Sequence, residues 1–491
     1  MLKLDELSFI RHQLNIPVFA VIIAVIILTK HLLHRPKYPP GPPRWPFIGN
    51  ILHLSLKGGW KPLTAFRETY GDLIFFNGLG STVLVLNSLD AINDLLDKRA
   101  NISSDRPIFT VAGELMGLNQ SMGLIPYGEE WREQRKVAHM ALSLAAVKKY
   151  HRLLELRLTM GTIIIATTYG ISTESAQDEY IALAEETMKL VGKATVPGAY
   201  LCDLMPVLKH LPGWVPFRRE AELGRIMMES CVNKPFQQVQ SEISQGYAPP
   251  SLVGDILTSN EIAPRHLNTV KWAAGSLYGA GAESTYATVL TFIMAMALNP
   301  EKQRLAHAEM DRVVGLERLP RMQDRENLPY VSAIIKETAR WHPVVPLGIA
   351  RRTSVDDFFR GFYIPKGTII IPNLWYCLFN TWSNFPHLTK AFIPERFLDT
   401  DHSHIDPASW NFGFGRRVCP GKALAENSVY ILVASLLWTF TFAVDESEGL
   451  VPQFTENLVS YPKPFKCIIS PRSASHRTLV QDAVSNAKQS Q

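Results

Sequence analysis

The sequence predicts a mainly helical protein with a minor sheet, folded as one large unit behind an N-terminal transmembrane helix. Three observations carry that expectation. Apolar spacing of three and four recurs through most of the chain, β-branched runs are few, and an uninterrupted apolar run, IPVFAVIIAVIIL from Ile16 to Leu28, stands near the start.

In chain order, residues 1–13 form an N-terminal segment and residues 14–33 the anchor. From Leu14 to Leu33 the stretch reaches about the 20 residues that a bilayer crossing needs, with Lys30 and His31 snorkelling to the interface. A cleaved signal peptide is the competing reading. It is disfavoured because Lys3 and Arg11 are balanced by Asp5 and Glu6, and no small-residue cleavage site follows. Lys30 at the end of the apolar run, with Arg35 and Lys37 just beyond the span, places everything downstream on the cytosolic side. Residues 34–50 contain the proline-dense YPPGPPRWPFIGN, a stiff connector that orients the body.

Residues 51–473 form that body, with no flexible linker, charge block or internal repeat to divide it. Helices are expected over Glu130–Tyr150, Val270–Leu298, Pro300–Val314, Pro329–Trp341 and Lys422–Trp438. Strands are expected at Ser81–Leu86 and at Gly367–Ile371, the latter introduced by the turn Pro365-Lys366-Gly367. Residues 474–491 turn polar and read as a frayed tail.

Composition narrows the function. A hydrophobic fraction of 46% with 19% charged residues excludes disorder, and a formal net charge of +5 over 491 residues is too small an excess to argue for nucleic acid. The five cysteines are odd in number and lack the close spacing of a disulfide framework or zinc site, which fits a reducing compartment. Cys202, Cys231, Cys377 and Cys467 read as small buried hydrophobes.

Cys419 stands apart, in NFGFGRRVCPGKA from Asn411 to Ala423. Gly413 and Gly415 permit positive φ and close backbone approach, so that main-chain N–H groups can converge on a sulfur. Arg417 adds positive charge, and the following helix presents its N-terminal dipole. This is chemistry for an anionic sulfur ligand. A second unusual stretch is GAGAEST, Gly279–Thr285, where small residues and a carboxyl interrupt a long apolar helix. Close helix packing explains the glycines but not Glu283.

Phe412, Gly415, Arg417, Cys419 and Gly421 match F-x-x-G-x-R-x-C-x-G, and through them the chain resembles the cytochrome P-450 family, in particular microsomal fungal members of secondary metabolism. Further signatures follow in the family's order. Glu337 and Arg340 match its helical E-x-x-R, and the resemblance joins them to Arg396 of PERF as a structural lock. It also implies a haem b whose iron is held by the Cys419 thiolate, with propionates held by Trp131, Arg135, Arg351 and Arg417. Glu283 and Ser284 fall on the acid-alcohol pair that relays protons during oxygen activation, with serine where the family usually has threonine.

The activity so implied is monooxygenation of a lipophilic small molecule, with a terpenoid or polyketide as the expected substrate. Electrons come from NADPH through a separate flavoprotein reductase, since no flavin or nicotinamide fingerprint is present. Arg132, Lys136, Arg416 and Lys422 are candidates for its docking patch. Specificity is expected around Pro107–Tyr127, Leu201–Trp214 and Val344–Ile349. The expected location is the endoplasmic reticulum membrane, single-pass, with the sequons at Asn101 and Asn119 unused on the cytosolic side. Two alternatives stay open: a reductase-independent haem-thiolate isomerase or dehydratase, and a haem-binding sensor without turnover.

Overall fold

Helices dominate because most apolar residues recur at helical spacing, and the strands gather where that spacing gives way to β-branched runs. The computed structural model describes residues 36–46, 48–54, 59–148, 160–172, 179–196, 199–247, 250–259, 266–380, 391–398, 406–445 and 449–489. The expected anchor, 14–33, and the segment before it lie outside the described residues.

The principal helices are α1 (Lys61–Tyr70), α2 (Glu129–Leu142), α3 (Leu144–Val147), α4 (Met160–Tyr169), α5 (Glu179–Ala194), α6 (Pro216–Ser244) and α7 (Leu252–Thr258). They continue as α8 (Leu267–Leu298), α9 (Pro300–Val313), α10 (Pro329–Trp341), α11 (Lys422–Thr439) and α12 (Ala474–Gln489). The main sheet has the order β1-β2-β6-β3. Its strands are β1 (Leu73–Gly78), β2 (Ser81–Leu86), β3 (Arg351–Arg352) and β6 (Ile369–Pro372). The pairs β1/β2 and β3/β6 are antiparallel and β2/β6 is parallel. Two hairpins complete the set, β4 (Asp357–Phe359) with β5 (Phe362–Ile364) and β7 (Phe440–Ala443) with β8 (Ile468–Pro471).

Helix α8 is apolar on all sides, so it is stable only when surrounded. Val270, Ala273, Ala274, Phe292, Ala295 and Met296 are buried in the cluster that also holds α10 and α11. It is long and apolar enough to cross a membrane, but here it is a central core helix. Its glycines serve packing. A Cβ on Gly275 would stand 2.8 Å from Val232 of α6, one on Gly279 3.2 Å from Met188 of α5, and one on Gly281 3.0 Å from Ile164 of α4.

Several boundaries differ from expectation for local reasons. The helix expected over Glu130–Tyr150 stops at Leu142, because Ser143 leaves helical geometry (ψ 153) and caps α3 by accepting from Ala146 N. Strand β6 begins at Ile369, because Gly367 at φ +83 and Thr368, whose N–H reaches Pro365 O, complete the turn. The tail read as frayed instead begins as α12. Ser473 bonds His476, and that buried ring packs 4.6 Å from Trp438 of α11, so the helix is tied at its first turn.

Candidate active site

The cysteine loop is shaped by its glycines. Gly413 and Gly415 have φ of +78 and +50, and a Cβ on Gly415 would stand 2.5 Å from Leu96 O, so only glycine fits there. The short helical turn Gly415–Arg417 then swings the chain so that Cys419 N bonds Phe412 O at 2.8 Å and Cys419 precedes α11 by three residues. Its accessible area faces a cavity of about 720 Å3, which is why a deeply set sulfur is also an exposed one.

Burial raises the Cys419 thiol pKa, while the Gly421 N–H and Arg135 pull it down. The charge near the sulfur is therefore that of Arg135 from α2. Arg417, expected to supply it, is turned away: its guanidinium donates to Ser104 O, Met122 O and Ile125 O.

The other residues singled out from the sequence meet at the same cavity: Trp131 and Arg135 on α2, Glu283 and Ser284 on α8, Arg351 on β3, and Arg417. Trp131 is buried, with the Arg417 and Arg135 guanidiniums 4.8 and 6.0 Å from its ring. Arg351 is buried and donates to Leu96 O and Phe414 O. Sequence reasoning missed Arg106. It also lines the cavity, is buried, and donates to Gly123 O, Ile349 O and Ala350 O. It belongs to no spaced motif, so only the fold reveals it.

Three buried guanidiniums in one region are electrostatically expensive. Burial and the Arg417 and Arg351 charges push the Arg106 pKa well down, burial brings Arg351 to about 10, and burial with Arg351 brings Arg417 to about 10. Asp105 and Asp97 are the carboxylates that act on these arginines, and Asp105 is already engaged by Arg352 at 2.6 Å. The cluster is thus short of anions, and a planar ligand with two carboxylates would relieve it. A thiol across the same cavity completes a donor set that fits haem b.

On the α8 wall, burial pushes the Glu283 carboxyl up to about 7, and its Oε2 has no hydrogen-bond partner. Ser284 donates to Ala280 O at 3.0 Å, Thr285 to Gly281 O at 3.1 Å, and Thr288 to Ser284 O at 3.0 Å. The helix runs unbroken through these residues, their hydroxyls folded back on its own carbonyls.

Beneath the cavity, Glu337 and Arg340 pair at 2.7 Å while fully buried, and Arg396 stands 3.4 Å from the same carboxylate. Glu337 also accepts from Ile393 N, and Arg340 donates to Ala391 O. Of the basic residues proposed for docking, Arg132, Lys136 and Arg416 are exposed, whereas Lys422 is partly engaged by Ala408 O.

Residues 39–156 and 154–469 match the family model for Cytochrome P450. Cytochrome P450 monooxygenase 208 of Postia placenta is 35% identical over 495 residues, covering 94% of this chain and 96% of that protein. Cytochrome P450 monooxygenase claR of Ampulloclitocybe clavipes is 36% identical, covering 94% and 91%. Cytochrome P450 monooxygenase ppsD of Aspergillus oryzae is 34% identical, covering 90% of each chain.

Proposed function

From the premise that the chain belongs to the cytochrome P450 family of monooxygenases, we propose that it oxidises a lipophilic small molecule with electrons delivered from NADPH by a separate flavoprotein reductase. The observation that carries this reading is one cavity bounded by Cys419, by a cluster of buried arginines, and by Glu283 with Ser284. In it Cys419 would ligate the haem iron, while Arg106, Arg135, Arg351, Arg417 and Trp131 would hold the propionates. The haem so held would supply the redox chemistry by which dioxygen, two electrons and two protons yield one oxygen atom in the substrate and one in water.

The protein's own residues manage the protons and the substrate. A carboxyl with a pKa of about 7 both gives and takes a proton near neutral pH, and Glu283 is that group on the cavity wall. Ser284 supplies a hydroxyl one residue on, which has to release Ala280 O to point into the cavity. These two groups favour oxygen reduction over the reductase-independent isomerase reading. Leu118, Met122, Leu124, Met188 and Val191 make the substrate side apolar and exclude water. Such a chamber suits a terpenoid or polyketide in secondary metabolism.

Attachment to the endoplasmic reticulum by residues 14–33 belongs to the same proposal. It is supported by large apolar side chains left in solvent on segments that share a core cluster: Trp45 and Leu52, 64% and 61% exposed, and Val207 and Trp214, both 69% exposed.

The test is the absorption spectrum of the reduced, carbon monoxide-bound protein beside Cys419→Ala, followed by oxygen consumption with NADPH and reductase. A thiolate-type Soret band that depends on Cys419, with reductase-dependent consumption, is expected. Well-folded, haem-loaded protein without that band would overturn the assignment.

A further inference from the structure

Two segments of the chamber wall are joined behind the lining. The chain leaving α10 supplies Val344, Val345, Gly348 and Ile349 to the cavity, and a loop near the C-terminus, bridged between Phe454 and Pro462, supplies Leu458 and Val459. The loop is closed on itself, with Thr455 N donating to Tyr461 O at 2.9 Å and Tyr461 N to Thr455 Oγ1 at 3.2 Å. Its tip touches α5, where Leu458 N donates to Gly192 O at 3.4 Å. Its base meets the other segment, where Ser460 N donates to Val344 O at 2.8 Å.

His342, the first residue after α10, organises this junction. Its ring is buried, stacks on Phe454 with centroids 3.5 Å apart, and sets Nε2 2.8 Å from Ser460 Oγ. The partners fix the direction of the bonds. Ser460 is buried too, and its hydroxyl donates to Thr455 O at 2.7 Å, an atom that can only accept. The Ser460 proton is therefore committed, so Oγ takes its hydrogen from His342 Nε2. That leaves Nδ1, which is buried without a partner, as the bare ring nitrogen. One directed chain thus runs from His342 through Ser460 to Thr455, each bond strengthening the next in a desolvated setting.

Resting on the reading of the cavity as the substrate chamber, we propose that His342 is a positioning residue for ligand selectivity: through Ser460 it fixes how far Leu458 and Val459 project into the chamber. A second observation gives the tip somewhere to go. Leu458 also borders a separate hollow of about 30 Å3, bounded by Thr195, Pro346 and Asn457, with room for about one or two water molecules. With the chain intact, the tip is held forward between hollow and chamber. Without it, Leu458 retreats into the hollow and the chamber accepts a bulkier ligand.

The hydrogen bond and the ring stack are separable. His342→Phe keeps an aromatic ring on Phe454 and deletes the Nε2 donor. His342→Gln loses the ring but keeps an N–H that reaches Ser460 Oγ, and Ser460→Ala deletes the middle of the chain. Two measurements on the full-length protein read the result. One is the Soret shift on titration with imidazole, small enough to meet little beyond the iron, and with 1-tritylimidazole, whose three phenyl rings press on the walls. The other is hydrogen exchange at the Leu458 and Ser460 amides, which needs no iron.

In His342→Phe and Ser460→Ala the Kd of 1-tritylimidazole should fall roughly threefold or more while that of imidazole stays within about twofold, and both amides should exchange faster. His342→Gln should restore the wild-type ratio and exchange, an outcome that a purely structural role of the ring does not give. If Ser460→Ala fails to fold, His342→Phe carries the test by itself. An unchanged ratio with unchanged exchange in His342→Phe, or a His342→Gln variant as altered as His342→Phe, would overturn the proposal. A wild-type protein whose Soret band does not respond to imidazole would count against the haem assignment instead, and the exchange rates would still decide the role of His342.

Discussion

Glu283 is half-committed to its charge, and that is what makes it useful. An ordinary surface glutamate is ionised throughout the neutral range, whereas burial holds this one near pH 7 with one oxygen free of partners. If it feeds protons to the chamber, its protonated form has to be present, so productive oxygen reduction should decline as pH rises through about 7. Glu283→Gln should remove that alkaline limb and lower productive turnover by about 10²-fold, with peroxide released per NADPH rising in compensation. The same pH profile and the same peroxide ratio in both proteins would exclude Glu283 from the relay. Ser284 is a milder case. Its hydroxyl is folded back on Ala280 O, so Ser284→Thr should keep the peroxide ratio within about twofold while Ser284→Ala raises it.

Elements place these residues, and the strongest clamp among them is the buried ion cluster between α10 and the turn Pro394–Phe397. Glu337 and Arg340 are fully buried, with Arg396 close to the same carboxylate. Removing the anion would leave two guanidiniums without their partner in a desolvated setting. Glu337→Ala should therefore cost about 3–5 kcal/mol by urea unfolding, while Lys136→Ala, which breaks an exposed pair with Glu133, should cost less than about 1 kcal/mol. Equal costs would mean that the buried cluster is no more than a surface-type pair. At this scale the sequence was a good guide where periodicity was long and a poor one where a single residue decides. Residues Pro329–Trp341 and Ser81–Leu86 form the helix and strand that their patterns predict, because the helix keeps one face apolar and the strand is a β-branched run buried on both faces from Val83 to Leu86. The break at Ser143 and the docking of α12 depend on one cap and one ring contact, which no window of hydropathy registers. The site divides in the same way. Spaced motifs found Cys419, Arg135, Glu283 and Ser284, but spacing says nothing about where a guanidinium turns, so Arg417 was assigned to the sulfur it turns away from and Arg106 was not found.

Across the whole molecule, the response to acid depends on buried groups held in their neutral forms. His342 connects distant parts of the chain: its ring stacks 3.5 Å from Phe454, lies 5.6 Å from Trp60 and 5.3 Å from Trp375, and bonds Ser460 Oγ at 2.8 Å. Burial lowers its pKa to about 3. His307 is brought to about 4 by burial and then by Arg472. An unfolded histidine takes up its proton near pH 6.5, so between 6.5 and these lower values the unfolded chain binds more protons than the folded one. The stability that these two rings confer is present above about pH 6.5 and is lost as pH falls, by roughly 1.4 kcal/mol per pH unit for each ring. Glu283 and Asp203 act with the opposite sign. Their raised pKa values mean that the folded chain takes up protons first, so acidification from about pH 7 to 4 relieves the cost of burying their charges. The absolute melting curve mixes both effects, and the difference between variants separates them. His342→Gln should lower the melting temperature at pH 7.5 through lost packing, and the gap to wild type should narrow steadily between about pH 6.5 and 4.5. A gap that stays constant over that range would mean that His342 titrates in the folded protein as it does in water, and that the aromatic cage around it does not hold the ring neutral.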